Sequence, residues 1–442
     1  MSIARVVAWA DLRPASLVVS ALALRKSLGA EVKVGYSVLA SGLRLDIAEG
    51  VKHLLEERGV QVDLKEDPGW NRPHDREALV VALLEETGED GRCQLVLDIS
   101  GAGPEAAIIS LDLARKRWRR PFQVVSFDSG RGTVRIANDP VPEKGLAMEL
   151  VRFDAGDPAE TMPLRAAPVG PGDLLGLYGM RLRPEDPYGL PDGNTVRAAG
   201  LLVEAARGVL EAFITDGSGY AHFRGTLASR FHGPAPGPSE VVLEDRDIPA
   251  KMRPTMEALK ILGLSSVRGG GSPAWILKGP HDRSAVFFLG GGWLEVLVAD
   301  ILTRSFEPPR TVERNAGTLW GRAWTSSSTY AEADAVFVLK NRLFVVSCKN
   351  DFLEENLFRH TDRLRALAAE YGETLARPVL VSTRKVEGAL ENRCRAYEIG
   401  HVSGSRLLSI LQADAKTESP RRLLSAIQGA YPGPPMPGTG AG

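Results

Sequence analysis

The sequence predicts an α/β protein of two or three domains. Short apolar runs alternate with helix-length stretches from Ala4 to Phe127. A second pair of apolar runs, joined by Lys340-Asn341-Arg342, stands late in the chain. The 442 residues exceed the ~100–200 of a single domain, and at 44% hydrophobic and 25% charged each part has material for a core. Disorder of the whole chain is excluded, since that needs less apolar content and a larger charge imbalance.

In the first part, Ala4–Ala10 (ARVVAWA) is a buried strand and Ala15–Ser27 its crossover helix. The rhythm repeats: strand Glu31–Tyr36, helix Leu43–Arg58, strand Gln61–Leu64, helix Glu77–Glu86, strand Gln94–Ile99, helix Pro104–Trp118, strand Gln123–Phe127. Such alternation makes a mainly parallel sheet covered on both faces. Val134–Ile136 and Ala147–Phe153 continue it, antiparallel or as a hairpin. No Gly-x-Gly-x-x-Gly follows the first strand, which gives little support to a dinucleotide.

Ligands of open sheets sit beyond the carboxyl ends of the strands. Two loops lie there. One is Ala10–Pro14, with Asp11, Leu12 and Arg13. The other is Ser100, Gly101, Ala102, Gly103 and Pro104, whose small residues let backbone N–H groups approach an anion at a helix start. The same residues also suit a plain strand–helix turn. Arg115, Lys116, Arg117, Arg119 and Arg120 complement the negative pole of the helix that follows.

Asp154–Pro171, rich in Ala, Pro and Gly, marks a boundary. Helices are expected over Thr195–Ile214 and Lys251–Leu262, with a linker at Phe231–Ser239, which together read as a helical connector.

In the last part, Ser284–Leu289 is expected as a strand, followed by Gly290-Gly291-Gly292 and a helix over Val296–Leu302. Glu295 falls in that helix's first turn, where a carboxylate takes a metal or a charged partner, or caps free N–H groups. Ala335–Leu339 and Leu343–Ser347 form a hairpin. With Asn341-Arg342 as a two-residue turn, Asp334 stands opposite Lys349. An acid and an amine then meet at the hairpin's open end, as a functional pair or as a surface salt bridge. Cys348 points to the other face. A helix over Thr361–Tyr371 and a strand over Pro378–Ser382 complete the domain. Pro432–Gly442 reads as a frayed tail.

Glu295, then Asp334, then Ser347-Cys348-Lys349 resembles the PD-(D/E)XK nuclease pattern. GGWLE with EAD…SCK is similar, over Val286–Ser382, to the nuclease domain of CRISPR ancillary nucleases. Those proteins join it to an N-terminal CARF domain, a Rossmann-like sensor of cyclic oligoadenylate. The resemblance implies a CARF domain over residues 1–155, a connector over 156–270, a restriction-endonuclease-like domain over 271–405, and a helix and tail over 406–442. It implies an activated endonuclease that nicks or degrades DNA, cleaves single-stranded RNA, or both. Asp334, Glu295, Glu332 and the Cys348 carbonyl would hold Mg²⁺ or Mn²⁺, with Lys349 orienting the attacking water or steadying the phosphate. Arg363 and Arg365 would hold nucleic acid backbone or be surface charges. Cyclic tetra-adenylate would bind Asp11, Leu12, Arg13 and Ser100–Pro104 across a homodimer. The chain departs from the family at Ser347, where a second carboxylate is usual, and at Gly101-Ala102-Gly103-Pro104, where a Gly-Gly-Thr-Lys type loop is common. A non-cutting nucleic-acid adaptor and a sequence-specific restriction enzyme are the alternatives.

Composition agrees. Lys plus Arg total 54 against 55 for Asp plus Glu, so only a local groove would be basic. The three cysteines, Cys93, Cys348 and Cys394, have no paired spacing and suit a reducing cytoplasm. No bilayer-length apolar run or leader is visible, so no membrane partner is expected.

Overall fold

The computed structural model describes residues 3–10, 13–28, 32–41, 45–67, 73–88, 93–102, 104–118, 122–128, 133–139, 170–177, 180–184, 195–231, 240–269, 274–278, 285–304, 312–320, 331–339, 342–350, 354–372, 376–412 and 418–429. The sequence is an α/β fold built on two large sheets.

The N-terminal domain runs β1 (Ile3–Trp9), α1 (Pro14–Leu28), β2 (Lys33–Ser41), α2 (Leu45–Glu56), β3 (Gln61–Asp67), α3 (Pro73–Gly88), β4 (Cys93–Asp98), α4 (Pro104–Arg117), β5 (Phe122–Asp128) and β6 (Thr133–Asp139). The sheet order is β3-β2-β1-β4-β5-β6. The first five strands are parallel and β6 returns antiparallel to β5. The strands read as continuous apolar runs because both faces are covered. Leu17 and Val18 of α1 and Val51 and Leu55 of α2 pack on one face. Val80 and Leu84 of α3 and Ala106 and Leu111 of α4 pack on the other, around Trp9 and Leu97. The expected strand over residues 147–153 lies outside the described residues, as does the tail over 432–442.

The middle of the chain comprises α5 (Pro171–Gly176), β7 (Met180–Pro184), α6 (Thr195–Thr215), α7 (Gly217–Phe231), β8 (Glu240–Glu244), α8 (Arg253–Ile261), β9 (Ser265–Arg268) and β10 (Ala274–Lys278). It is not simply helical: β8, β10 and β9 form a three-stranded antiparallel sheet. Helix α7, unexpected in so glycine-rich a stretch, starts at Asp216, whose carboxylate accepts from the Gly219 N–H at 2.9 Å. Burial of Tyr220, Phe223 and Leu227 then outweighs its weak helix propensity.

The C-terminal part begins with a helical turn at Ala285–Phe287 and a π-helical turn at Phe288–Gly292. The expected strand over Ser284–Leu289 is therefore helical from Ala285 on, and Ser284 lies outside the described residues. Ala285, Val286, Phe288 and Leu289 are core residues, and packing overrides their strand preference. Next come α9 (Trp293–Arg304), β11 (Val312–Trp320), β12 (Ala331–Leu339), β13 (Arg342–Lys349), α10 (Glu354–Gly372), β14 (Ala376–Ser382), α11 (Gly388–Ala396), β15 (Gly400–Ser403), α12 (Gly404–Gln412) and α13 (Glu418–Gly429). The sheet order is β15-β14-β13-β12-β11-β7, so Met180–Pro184 contributes an edge strand from well upstream. The stretch Ala285–Arg304 is long and apolar enough to cross a bilayer, but 72% of it is buried, and it is the core helix of this layer.

Helix α5 joins the halves. Leu174, Leu175 and Leu177 are buried in one apolar cluster that also holds Val51 and Leu55 of α2, Ala333 of β12 and Leu364 of α10. Beside it, Arg58 makes a 2.6 Å ion pair with Asp173.

Candidate functional site

The hairpin register differs from the expected one. Leu339 pairs with Arg342 and Ala335 with Val346, so the paired strand ends are separated by residues 340 and 341 and not by 341 and 342. Continued along the strands, this ladder sets Asp334 against Ser347 rather than Lys349. The partner changes by two residues, which preserves facing, so Lys349 still shares the face of Asp334 and meets it diagonally.

Three donors converge on Asp334 Oδ2: the Cys348 N–H at 2.5 Å, the Ser347 hydroxyl at 3.2 Å and the Lys349 ammonium at 3.2 Å. The carboxylate is buried, with its residue 9% exposed. In a strand, the N–H and C=O of one residue point to the same side. The Cys348 carbonyl therefore lies on the β12 side with its N–H, whereas the Lys349 carbonyl accepts from Thr383 N on the β14 side at 3.3 Å.

Burial pulls the Lys349 ammonium down, but the Asp334 and Glu295 carboxylates outweigh it and hold its pKa above the ordinary value. Lys349 is thus a fixed cation at neutral pH. Burial, then Asp334 and Glu295, push the Cys348 thiol well up, so it is no nucleophile. Both effects place Glu295 within electrostatic reach of the hairpin end. It comes from the first turn of α9, just beyond the π-helical turn. Glu332 lies on β12 opposite Gly317, and its side chain is outside the described residues. Among the described residues, no three His, Cys, Asp or Glu side chains cluster as a metal site. The available donors are nevertheless hard oxygens, which fit Mg²⁺ or Mn²⁺ and not zinc.

Arg363 and Arg365 are exposed on α10. The Arg365 guanidinium lies 4.3 Å over the Tyr397 ring, in a cluster where Arg393 also binds Asp362 at 2.5 Å.

Sequence reasoning missed a buried polar network behind the hairpin. Asn350 follows Lys349, and its amide donates to Tyr220 Oη at 3.0 Å while its Oδ1 accepts from Thr383 at 2.8 Å. Arg224 donates to the Asn350 carbonyl at 2.5 Å. Trp293 Nε1 donates to the same Tyr220 oxygen at 2.9 Å.

In the N-terminal domain, β1 and β4 are neighbours, with Ala8 opposite Asp98, and the strand order reverses between them. The two candidate loops meet there, for Arg13 N donates to Gly101 O at 3.3 Å. A Cβ at Gly101 would overlap the Trp9 carbonyl oxygen, so this position requires glycine. Asp98 sits beneath, fully buried, accepting from Ser20 at 2.6 Å and from the Ser100 N–H at 3.0 Å. Burial raises its carboxyl to about 6, against the lowering effect of the Ser20, Ser100 and Tyr36 donors. In the first turn of α1, the buried Ser16 hydroxyl has no hydrogen-bond partner among the described residues. Asp11, Leu12 and Gly103 lie outside the described residues, and Pro104 opens α4.

No protein-family model matches the chain, and no curated protein matches it. Solved structures do. Protein VC1899 from Vibrio cholerae aligns with a TM-score of 0.66 at 15% identity, over 98% of this chain and 99% of that one. Can2 from Sulfobacillus thermosulfidooxidans, solved with cyclic tetra-adenylate, aligns with a TM-score of 0.56 at 13% identity, over 96% of this chain and 97% of its own. The likeness spans essentially the whole of all three chains, and with the strand orders above it gives the fold: an α/β chain with an N-terminal, mainly parallel sheet of Rossmann-like order and a second, mixed six-stranded sheet in its C-terminal part.

Proposed function

We propose that the chain is a cyclic oligoadenylate-activated, metal-dependent endonuclease of type III CRISPR defence. The observation that carries this reading is the convergence of the Lys349 ammonium and the Cys348 N–H on a single buried oxygen of Asp334, with Glu295 in electrostatic range. A structural salt bridge does not need a second acid within electrostatic range of the same lysine, nor a backbone carbonyl turned toward the same edge.

In this reading Asp334, Glu295, Glu332 and the Cys348 carbonyl hold Mg²⁺ or Mn²⁺, which supplies an activated water and neutralises charge on the phosphate. Ser347, in place of a second carboxylate, orients Asp334 through its hydroxyl. Lys349, kept protonated by its two acids, steadies phosphate charge and orients the water rather than removing its proton. Arg363 and Arg365 would meet the nucleic acid backbone, DNA, RNA or both.

The crevice between β1 and β4 would receive cyclic tetra-adenylate, with Arg13 and the backbone of Ser100–Pro104 as phosphate partners. The likeness to Can2, solved with that ligand, supports this choice. A two-fold homodimer would present two such crevices to one ring. Calorimetry with cyclic tetra-adenylate, paired with plasmid nicking and RNA cleavage in Mg²⁺ and Mn²⁺, tests both halves. Saturable heat and ligand-dependent cleavage are expected. Absence of heat rejects the sensor, and ligand binding without cleavage in either metal selects the adaptor.

A further inference from the structure

Tyr220 belongs to neither large sheet. It lies on α7 in the middle of the chain, fully buried, with its ring edge-on to Phe213 of α6 at 5.6 Å between centroids. Its hydroxyl oxygen accepts two hydrogen bonds, from Trp293 Nε1 and from Asn350 Nδ2. Trp293 stands two residues before Glu295 in the first turn of α9, and Asn350 immediately follows Lys349. One oxygen therefore ties together the two chain segments that bring the glutamate and the lysine to the site.

Burial holds the Tyr220 phenol above its ordinary pKa, so the oxygen that accepts both bonds stays in its neutral form. A second tie from the same helix reinforces them, since Arg224 grips the Asn350 carbonyl. Thr383, beyond β14, fixes the other end of the Asn350 amide. Held by α7 through Tyr220 and Arg224 and by Thr383 beyond β14, Asn350 has little freedom to move, and neither has the backbone of Lys349.

We propose that Tyr220 is a positioning residue for the catalytic centre: its hydroxyl sets the separation of Glu295 and Lys349 from outside the nuclease sheet. The proposal rests on the nuclease reading above. It also makes the α6–α7 helix pair an element through which displacement of the connector reaches the site, because Tyr220 of α7 bonds to both segments.

The test compares the wild-type full-length protein with Tyr220→Phe, which keeps the ring, and with Trp293→Phe, which removes the donor from the other side. Mn²⁺ binding is followed by electron paramagnetic resonance and cleavage by steady-state kinetics. Trp293→Phe, which removes one buried hydrogen bond, is expected to lose about tenfold in kcat and in Mn²⁺ affinity, and Tyr220→Phe, which removes two, at least as much, with KM for nucleic acid unchanged. The double variant is expected to be no worse in kcat and Mn²⁺ affinity than Tyr220→Phe alone, since that substitution already removes the Trp293 bond together with the Asn350 one. If Tyr220→Phe does not fold, Trp293→Phe carries the comparison. Folded variants with wild-type kcat and Mn²⁺ affinity overturn the positioning role and leave the nuclease reading intact. A wild-type protein that neither binds Mn²⁺ nor cleaves sinks the nuclease reading, and the positioning role with it.

Discussion

The Lys349 ammonium lies 3.2 Å from Asp334 Oδ2, although the two residues are not cross-strand partners. The lysine reaches across the diagonal of the hairpin end. The backbone N–H of its neighbour, Cys348, occupies the direct approach to the same oxygen. Asp334 is thus both a structural acceptor and the centre of the proposed metal site.

Asp334→Asn should abolish metal-dependent cleavage while the protein stays folded. The amide still accepts from Cys348 but loses the charge that holds a cation and faces Lys349. A nicking assay should show a loss of about 10²-fold or more. Cleavage at the wild-type rate would remove Asp334 from the mechanism.

Lys349→Gln should lower kcat by about 10²-fold without altering the shape of the pH–rate profile between pH 6 and 9. The wild-type amine has its pKa raised, by Asp334 and Glu295 against the opposing effect of burial, so it does not titrate in that window. The sign for stability follows. The raised pKa contributes stability that is complete below the unfolded lysine value and is lost as pH rises through the folded one. An ionisation present in the wild-type profile and missing in the variant would assign proton transfer to Lys349.

Asp98→Asn should become more favourable relative to wild type as pH rises. The folded carboxyl, at about 6, binds its proton more tightly than the unfolded one at 3.8. Wild-type stability from this group is therefore present below the unfolded value and declines through the folded one, by about 3 kcal/mol in total at roughly 1.4 kcal/mol per pH unit. Melting temperatures of both proteins at pH 4.5 and pH 7.5 measure it. A difference that does not change with pH would contradict the buried ionisation.

Gly101→Ala should cost about 1–3 kcal/mol, because the new methyl overlaps the Trp9 carbonyl and the loop must move away from β1. Binding of cyclic tetra-adenylate should fall with it, as read by calorimetry. Unchanged affinity would move the ligand site elsewhere.

Ser347→Glu should tighten Mn²⁺ binding and lower the melting temperature in chelator. A second carboxylate beside the buried Asp334 is favourable with a cation and repulsive without one. Equal melting temperatures with and without Mn²⁺ would show that position 347 does not face the ion.

Much of this was legible in the sequence. The N-terminal alternation gave a parallel sheet because strands buried on both faces must be apolar throughout. The hairpin placed Asp334 and Lys349 on one face even though its turn sits a residue earlier than expected, since the two-residue change of partner keeps parity. Local pattern failed where packing decides. AVFFL looks like a strand yet winds into α9, and the glycines around Tyr220 conceal a helix whose apolar side is supplied by α6. The Tyr220 contacts could not be read at all, because Trp293 and Asn350 lie 73 and 130 residues away from it.

Helix α5 has a consequence for how the chain can be divided. Leu174 and Leu175 of this helix, with Leu177 just past its end, share an apolar cluster with α2 on one side and the β12–α10 layer on the other, and Arg58 is latched to Asp173 at the rim. The N-terminal and C-terminal halves are therefore not beads on a string but share a greasy seam. Expressed separately, either half would carry a raw apolar wound, so the pair should melt as one unit and each fragment should aggregate.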